Sequence, residues 1–188
     1  MIRPLIGFGM MICAAWTAAQ GPVVSAKSAI IMDEVSGRVL WAKDADTARY
    51  PASTTKIMTS LLLLESLPLT SMITAPADTE QVTGSSLHLR VGEQISAKDA
   101  LYAMMLRSAN DVCHAVAHRI SGSDSLFADR MNERAAEIGC KKTTFRNPNG
   151  LPDEQHMTSA RDLALIAREA MKNAIFREVV KTQKSWIN

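Results

Sequence analysis

Tyr50-Pro51-Ala52-Ser53-Thr54-Thr55-Lys56-Ile57-Met58-Thr59-Ser60-Leu61-Leu62-Leu63-Leu64 is the most strongly patterned segment of this chain. From Thr54 to Leu67, apolar residues occupy nearly every face after the first turn. That pattern predicts a helix buried in the middle of a domain, ended by Pro68. Ser53 and Lys56 stand three apart at its start, so a helix beginning near Ser53 carries both on one face. A serine hydroxyl is a poor nucleophile until a neighbouring base takes its proton. A lysine can be that base only when neutral, which requires burial or nearby positive charge. The first turn of an apolar helix, near its positive dipole end, meets both conditions and is a poor place for a merely structural cation. Ser-x-x-Lys is a short, common pattern, and the plain alternative is a helix cap beside a solvent-facing lysine.

Upstream, Ala29 to Glu34 and Arg38 to Lys43 are short apolar runs around Gly37, and they predict a β-hairpin. Downstream, Leu69 to Gly92 is mixed, with β-prone pieces such as Ser86 to Val91. Helices are predicted over Lys98 to Leu106, Asp111 to Ile120 and Asp124 to Ile138, the last ended by Gly139. Asn147-Pro148-Asn149-Gly150 is a turn cluster, and Ser159 with Asp162 opens a further helix as a capping-box-like start. Two strands followed by many helices indicate an α+β design. A lone hairpin is marginal as a sheet, so further strands are expected beyond these residues.

Ser108-Ala109-Asn110 interrupts two of the predicted helices. Short polar side chains at such a break can point into a cleft. A second hydroxyl can pass protons, and an asparagine amide can both donate to and accept from a peptide. Routine helix capping would use the same residues.

In this order and separation, Ser53-Thr54-Thr55-Lys56 and Ser108-Ala109-Asn110 resemble the motifs of the penicillin-binding and serine β-lactamase superfamily. The closer likeness is to the low-molecular-mass D-alanyl-D-alanine carboxypeptidases, peptidase family S11. It is carried by Tyr50 to Thr59, Gly84-Ser85-Ser86-Leu87 with Val91-Gly92-Glu93, Ser108 to Asp111, Thr144 to Leu151 and Ser159 to Ala164. The resemblance implies a β-lactamase/transpeptidase-like α+β fold, a helical cluster beside an antiparallel sheet with Ser53 at their junction. It implies Ser53 as the nucleophile that forms an acyl-enzyme, Lys56 as its base, Ser108 as proton relay and Asn110 as a holder of the substrate amide. The Ser53 N–H would be half of an oxyanion hole. The substrates would be peptidoglycan stem peptides ending in D-Ala-D-Ala, placing the protein in cell-wall synthesis and cell shape, with β-lactams as covalent inhibitors. No cofactor and no metal is expected.

The family's third element, Lys-Thr-Gly on a strand at the sheet edge, is absent from the sequence; Lys181-Thr182-Gln183 lacks the glycine and closes a helical stretch. Residues 27–188 are therefore expected to be an incomplete catalytic domain without its C-terminal strands, a fragment or a truncated product. The hairpin edge and one face of the Ser53 helix would then be exposed. A rival reading is an inactive, truncated cell-wall-binding relic. A second is a class A-like β-lactamase, which would need a deacylating glutamate in a Glu-x-x-Leu-Asn stretch that the sequence does not contain.

Composition is ordinary for a globular chain, with 47% hydrophobic and 21% charged residues, and a formal net charge of +2 offers no basic face for nucleic acid. Arg3 is the only charge before Lys27, Leu5 to Ala19 is almost wholly apolar, and Val24-Ser25-Ala26 suits cleavage. The apolar run is short for a spanning helix, so residues 1–26 read as a secretory signal, with a retained N-terminal anchor as the alternative, and the mature protein is expected in the bacterial periplasm or cell envelope. Membrane association is expected only through a C-terminal segment beyond these residues. Cys113 and Cys140 could pair in an oxidising envelope, or stay free and buried. His114 and His118 have a spacing that can bind zinc, but no glutamate follows His114 as a zinc hydrolase requires, so packed or solvent-facing histidines are expected. Arg90 and Arg161 read as solvated charge.

Overall fold

A computed structural model of the chain describes residues 21–186. The proposed signal lies largely outside them. The hairpin forms as expected: β1 (Ala29–Met32) pairs antiparallel with β2 (Val39–Lys43), with Ile30 opposite Ala42 and an irregularity after Ile31. Its turn is held by the Asp33 carboxylate, which accepts from the Ser36 backbone N–H at 2.7 Å, and by Gly37 at φ +73°. Arg168, on a later helix, donates to the carbonyls of Glu34 and Val35 at 2.7 and 2.8 Å. The hairpin turn is thereby tied to that helix, while Ile31 and Leu40 remain exposed.

The apolar helix is α1 (Lys56–Ser66), entered through a 3-10 turn over Ala52–Thr55. Leu67 turns extended (φ −133°, ψ 136°), the conformation a residue before proline is pushed into. Met58 and Leu61 to Leu63 are buried, and of α1 only Glu65 is exposed. The expectation of a bare face on this helix is therefore corrected: the other helices surround it. They are α2 (Ala97–Arg107), α3 (Asn110–Ser121), α4 (Asp124–Ile138), α5 (Ala160–Met171) and α6 (Ala174–Lys181). Three of these starts are capped by serine: Ser96 accepts from Asp99 N, Ser123 from Leu126 N and Ser159 from Asp162 N. Asn173 caps α6. Gly122 and Gly139 end α3 and α4 in the left-handed region.

Between α1 and α2 the β-prone reading of Ser86 to Val91 is corrected. The strands there are β3 (Met72–Thr74) and β4 (Gln94–Ser96), paired antiparallel as a second small sheet with Ile73 and Ile95 buried opposite each other. Ser86 to Val91 is a loop because a side chain supplies what a partner strand would have. Both oxygens of the Asp111 carboxylate accept backbone N–H bonds, from Leu87 at 3.1 Å and Leu89 at 3.0 Å. Those bonds, with Ser86, hold the Asp111 carboxyl below the usual range although burial pushes it upward.

The core unites α1 to α6 with β3 and β4, through residues such as Met58, Leu101, Val116, Phe127, Phe145 and Ile166. Asp162, buried at the start of α5, accepts from Lys141 N, Lys142 N and the Thr143 hydroxyl, which fixes the chain after α4. Cys113 and Cys140 are free, and burial pushes both thiols up to about 12. No helix among the described residues is long and apolar enough to cross a membrane. Phe127 is fully buried on α4. Phe127→Ala is expected to destabilise the fold by about 3–5 kcal/mol, read as a lowered denaturant midpoint at unchanged slope.

Candidate active site

Three segments distant in sequence meet at the start of α1. Ser53 sits exposed in the 3-10 turn, directly after Ala52, whose φ of +48° is unusual for a residue with a side chain. Ser108 closes α2 in the left-handed region (φ 57°), and its hydroxyl lies 2.9 Å from the Ser53 Oγ. Asn110 begins α3.

Lys56 ties the three together. It is only 2% exposed, and its Nζ donates to Asn110 Oδ1 at 2.8 Å, to the Asn149 carbonyl at 2.7 Å and, more loosely, to Ser53 Oγ at 3.4 Å. All three acceptors are neutral. Burial lowers the Lys56 pKa, opposed only in part by Cys113. Its place at the first residue of α1 adds the unfavourable helix-dipole term for a cation. A lysine so placed sheds its proton more readily than one in water.

Both ends of the Asn110 amide are occupied. Oδ1 accepts from Lys56, and Nδ2 donates to the Thr83 carbonyl at 2.8 Å, while the Asn110 backbone N–H donates to the Ser85 carbonyl at 2.7 Å. Asn110 therefore positions Lys56 in this structure, while the second N–H of its amide is not taken by the Thr83 bond. Gly84 makes this contact fit, since a Cβ there would stand 2.7 Å from Asn110 Nδ2.

Sequence reasoning overlooked the contribution of Asn149 and Gly150. The Asn147-Pro148-Asn149-Gly150 cluster signalled a turn, but nothing local could signal that its Asn149 carbonyl would face a lysine 93 residues away. The Asn147 side chain accepts from Gly150 N at 2.7 Å, and the Thr59 hydroxyl of α1 donates to the Pro148 carbonyl. His156 completes the brace. Its Nδ1 accepts from Arg146 N at 3.0 Å, so its Nε2 carries the proton and donates to Thr55 Oγ1 at 2.9 Å. Burial lowers the His156 pKa, in keeping with this neutral tautomer. A cavity of about 250 Å³ lies alongside, lined by Tyr50, Pro51, Ala52, Gly150, Leu151 and His156 among others.

The other residues weighed from the sequence take structural places. Arg161 pairs with Asp46 at 2.6 and 3.0 Å rather than facing the site. Glu93 accepts from Arg90 N at 2.9 Å as a turn cap. Cys113 donates to the Ala109 carbonyl from within the core.

The helical cluster beside small antiparallel sheets matches penicillin-binding and transpeptidase folds. The chain superimposes on a Streptomyces K15 DD-transpeptidase variant with a TM-score of 0.82, 32% identity and coverage of 87% of this chain and 67% of that one. The match to the D-alanyl-D-alanine carboxypeptidase DacD from Francisella tularensis has a TM-score of 0.77 and 32% identity, covering 90% and 44%. The chain belongs to the D-alanyl-D-alanine carboxypeptidase family, peptidase family S11, whose profile matches residues 15–187. Among curated relatives, the D-alanyl-D-alanine carboxypeptidase DacF of Bacillus subtilis (strain 168) is 35% identical over 167 residues, covering 86% of this chain and 43% of that protein. The D-alanyl-D-alanine carboxypeptidase of Streptomyces sp. (strain K15) is 34% identical, covering 95% and 66%. The chain thus spans roughly two fifths to two thirds of the length of these relatives.

Gly150 sits at φ +86°, and a Cβ there would overlap the Ala52 carbonyl and approach Thr55 Oγ1. Gly150→Ala is expected to displace the turn that carries Ser53 and to lower thermal stability. Measured melting curves, with the solvent accessibility of Ser53 to a covalent serine probe, check this.

Proposed function

We propose that the protein is a serine-type D-Ala-D-Ala carboxypeptidase acting on peptidoglycan stem peptides through an acyl-enzyme on Ser53. The observation that carries this reading is the Lys56 amine, buried against neutral oxygens and aimed at the Ser53 hydroxyl. In its neutral form Lys56 takes the Ser53 proton as the oxygen attacks the carbonyl of the penultimate D-alanine. The Ser53 backbone N–H stabilises the developing oxyanion. Ser108, 2.9 Å from Ser53, passes a proton to the departing D-alanine amine. The amide bond breaks as the ester forms. Water then cleaves the ester, regenerating Ser53 and releasing a peptide one residue shorter.

β-Lactams would acylate the same serine, because their strained amide presents a carbonyl where the D-Ala-D-Ala bond lies. The relatives' names, D-alanyl-D-alanine carboxypeptidase and DD-transpeptidase, support this substrate class. An exported, cell-envelope location follows from such a substrate and from the apolar N-terminal segment.

Intact-mass measurement of the chain after incubation with a penicillin tests the reading. One adduct, lost in Ser53→Ala, is expected; failure to label a folded protein would count against an assembled nucleophile. Where labelling occurs, Lys56→Met is expected to slow it by about 10²–10⁴-fold. The pH dependence follows from the same geometry. Only the neutral amine can accept the proton, and burial holds Lys56 below the ordinary 10.5. The acylation rate is therefore expected to climb with pH and level off below that value. A pH profile of the same shape in Lys56→Met would show that Lys56 is not the base.

A further inference from the structure

His114, on α3, is buried, and each of its ring nitrogens meets a carboxylate. Nε2 lies 2.9 Å from Asp78 Oδ1 and Nδ1 lies 2.9 Å from Asp124 Oδ1. His118, one turn further along α3, is half-buried, with its ring centroid 4.3 Å from that of His114. One ligand atom each from Asp78, His114 and His118 fall within 4.8 Å of one another. The two histidines thus share one face of α3, and the aspartate comes from a separate segment. This is an arrangement of two imidazoles and a carboxylate converging from two elements.

From this geometry we propose that Asp78, His114 and His118 bind a single divalent transition-metal ion of the zinc class, with Asp124 orienting His114 from behind. Imidazole and carboxylate are the donors zinc takes, three from protein with water in an open fourth position. Such an ion holds its ligand atoms about 3.3 Å apart, from bonds of about 2.0–2.1 Å in a tetrahedron. The His114–Asp78 pair needs to open by a few tenths of an ångström, and the exposed Asp78 side chain has room for it. His118 approaches by side-chain rotation.

Asp124 is the independent observation. Metal-bound histidines almost always donate their other ring N–H to a carboxylate or carbonyl, which fixes the tautomer and raises ligand basicity. Asp124 already does this at Nδ1, leaving Nε2 directed at Asp78. The metal takes the place of the Nε2 proton between His114 and Asp78, and that proton goes to solvent.

The ion would keep one position open to water and would also brace a loop. Asp78 opens the loop whose Thr83 and Ser85 carbonyls hold Asn110. Bridging Asp78 to α3 fastens that loop to the helix that starts with Asn110. The site shares no ligand with Ser53, Lys56 or Ser108, so it stands whether or not the hydrolase reading does.

The test is calorimetric titration of the full chain, first stripped with chelator, with Zn²⁺, and absorption spectra with Co²⁺. One saturable site per chain is expected, with Co²⁺ bands of a four-coordinate ion and no sulfur-to-cobalt charge transfer. Asp78→Asn and His118→Ala are expected to weaken binding at least tenfold, and Asp124→Asn by about 10–100-fold. A hundredfold excess of Zn²⁺ over its dissociation constant is expected to raise Tm by about 5–10 °C. His118 is half-buried, so its replacement leaves the fold intact, checked by far-UV circular dichroism. Absence of saturable binding, retention of binding in either ligand variant, or a thiolate charge-transfer band would overturn the proposal.

Discussion

The removal of the Lys56 side chain from water, with no carboxylate among the described residues paired to it, is the constraint around which the rest of this structure is organised. An ammonium group buried against neutral oxygens is costly, and the cost falls when it gives up its proton. The three oxygens that receive its N–H groups come from the turn before α1, the first residue of α3 and the loop after α4. Any movement of those segments would leave a buried donor unsatisfied, which disfavours it strongly. A single side chain thereby couples the packing of the helical cluster to the position of the Ser53 hydroxyl.

Backbone strain gathers at the same place. Ala52 and Ser108, which flank the hydroxyl pair, both have positive φ, and Gly84 and Gly150 allow approaches that a Cβ would block. Such conformations cost on the order of 1–3 kcal/mol each in residues with side chains and persist only where the surroundings over-determine them. Here the surroundings are α1, buried nearly all round, and a loop tied down by the Thr59, Asn147 and His156 side chains. The stiffness of the scaffold is what holds two hydroxyls 2.9 Å apart at an otherwise unfavourable bend.

A second set of polar contacts governs the loop between β3 and β4. Asp111 replaces a strand partner for Leu87 and Leu89, Asn110 grips Thr83 and Ser85, and His114 clamps Asp78. Burial alone would lower the His114 pKa, but hydrogen bonds to Asp124 and Asp78 outweigh it and raise it to about 9. One turn and a half of α3 thus serves two purposes, supporting Lys56 on one side and the loop on the other.

Local sequence carried much of this. Four consecutive leucines, Ser159 before α5, and Gly37 and Gly139 marked helices, caps and turns, because burial patterns and backbone preferences act within a few residues. The α4 span was readable to the residue, and Ser53, Lys56, Ser108 and Asn110 stood out by residue type and motif order. Local sequence could not show that Ser86 to Val91 would be a loop, since its hydrogen-bond partner is a side chain more than twenty residues away. Nor could it show that the Asn149 carbonyl completes the Lys56 environment, or that His114 lies between two aspartates. Those are meetings of distant segments, set by how the helices pack, and the energy of a buried charge or an unmade hydrogen bond acts only once packing has brought them together.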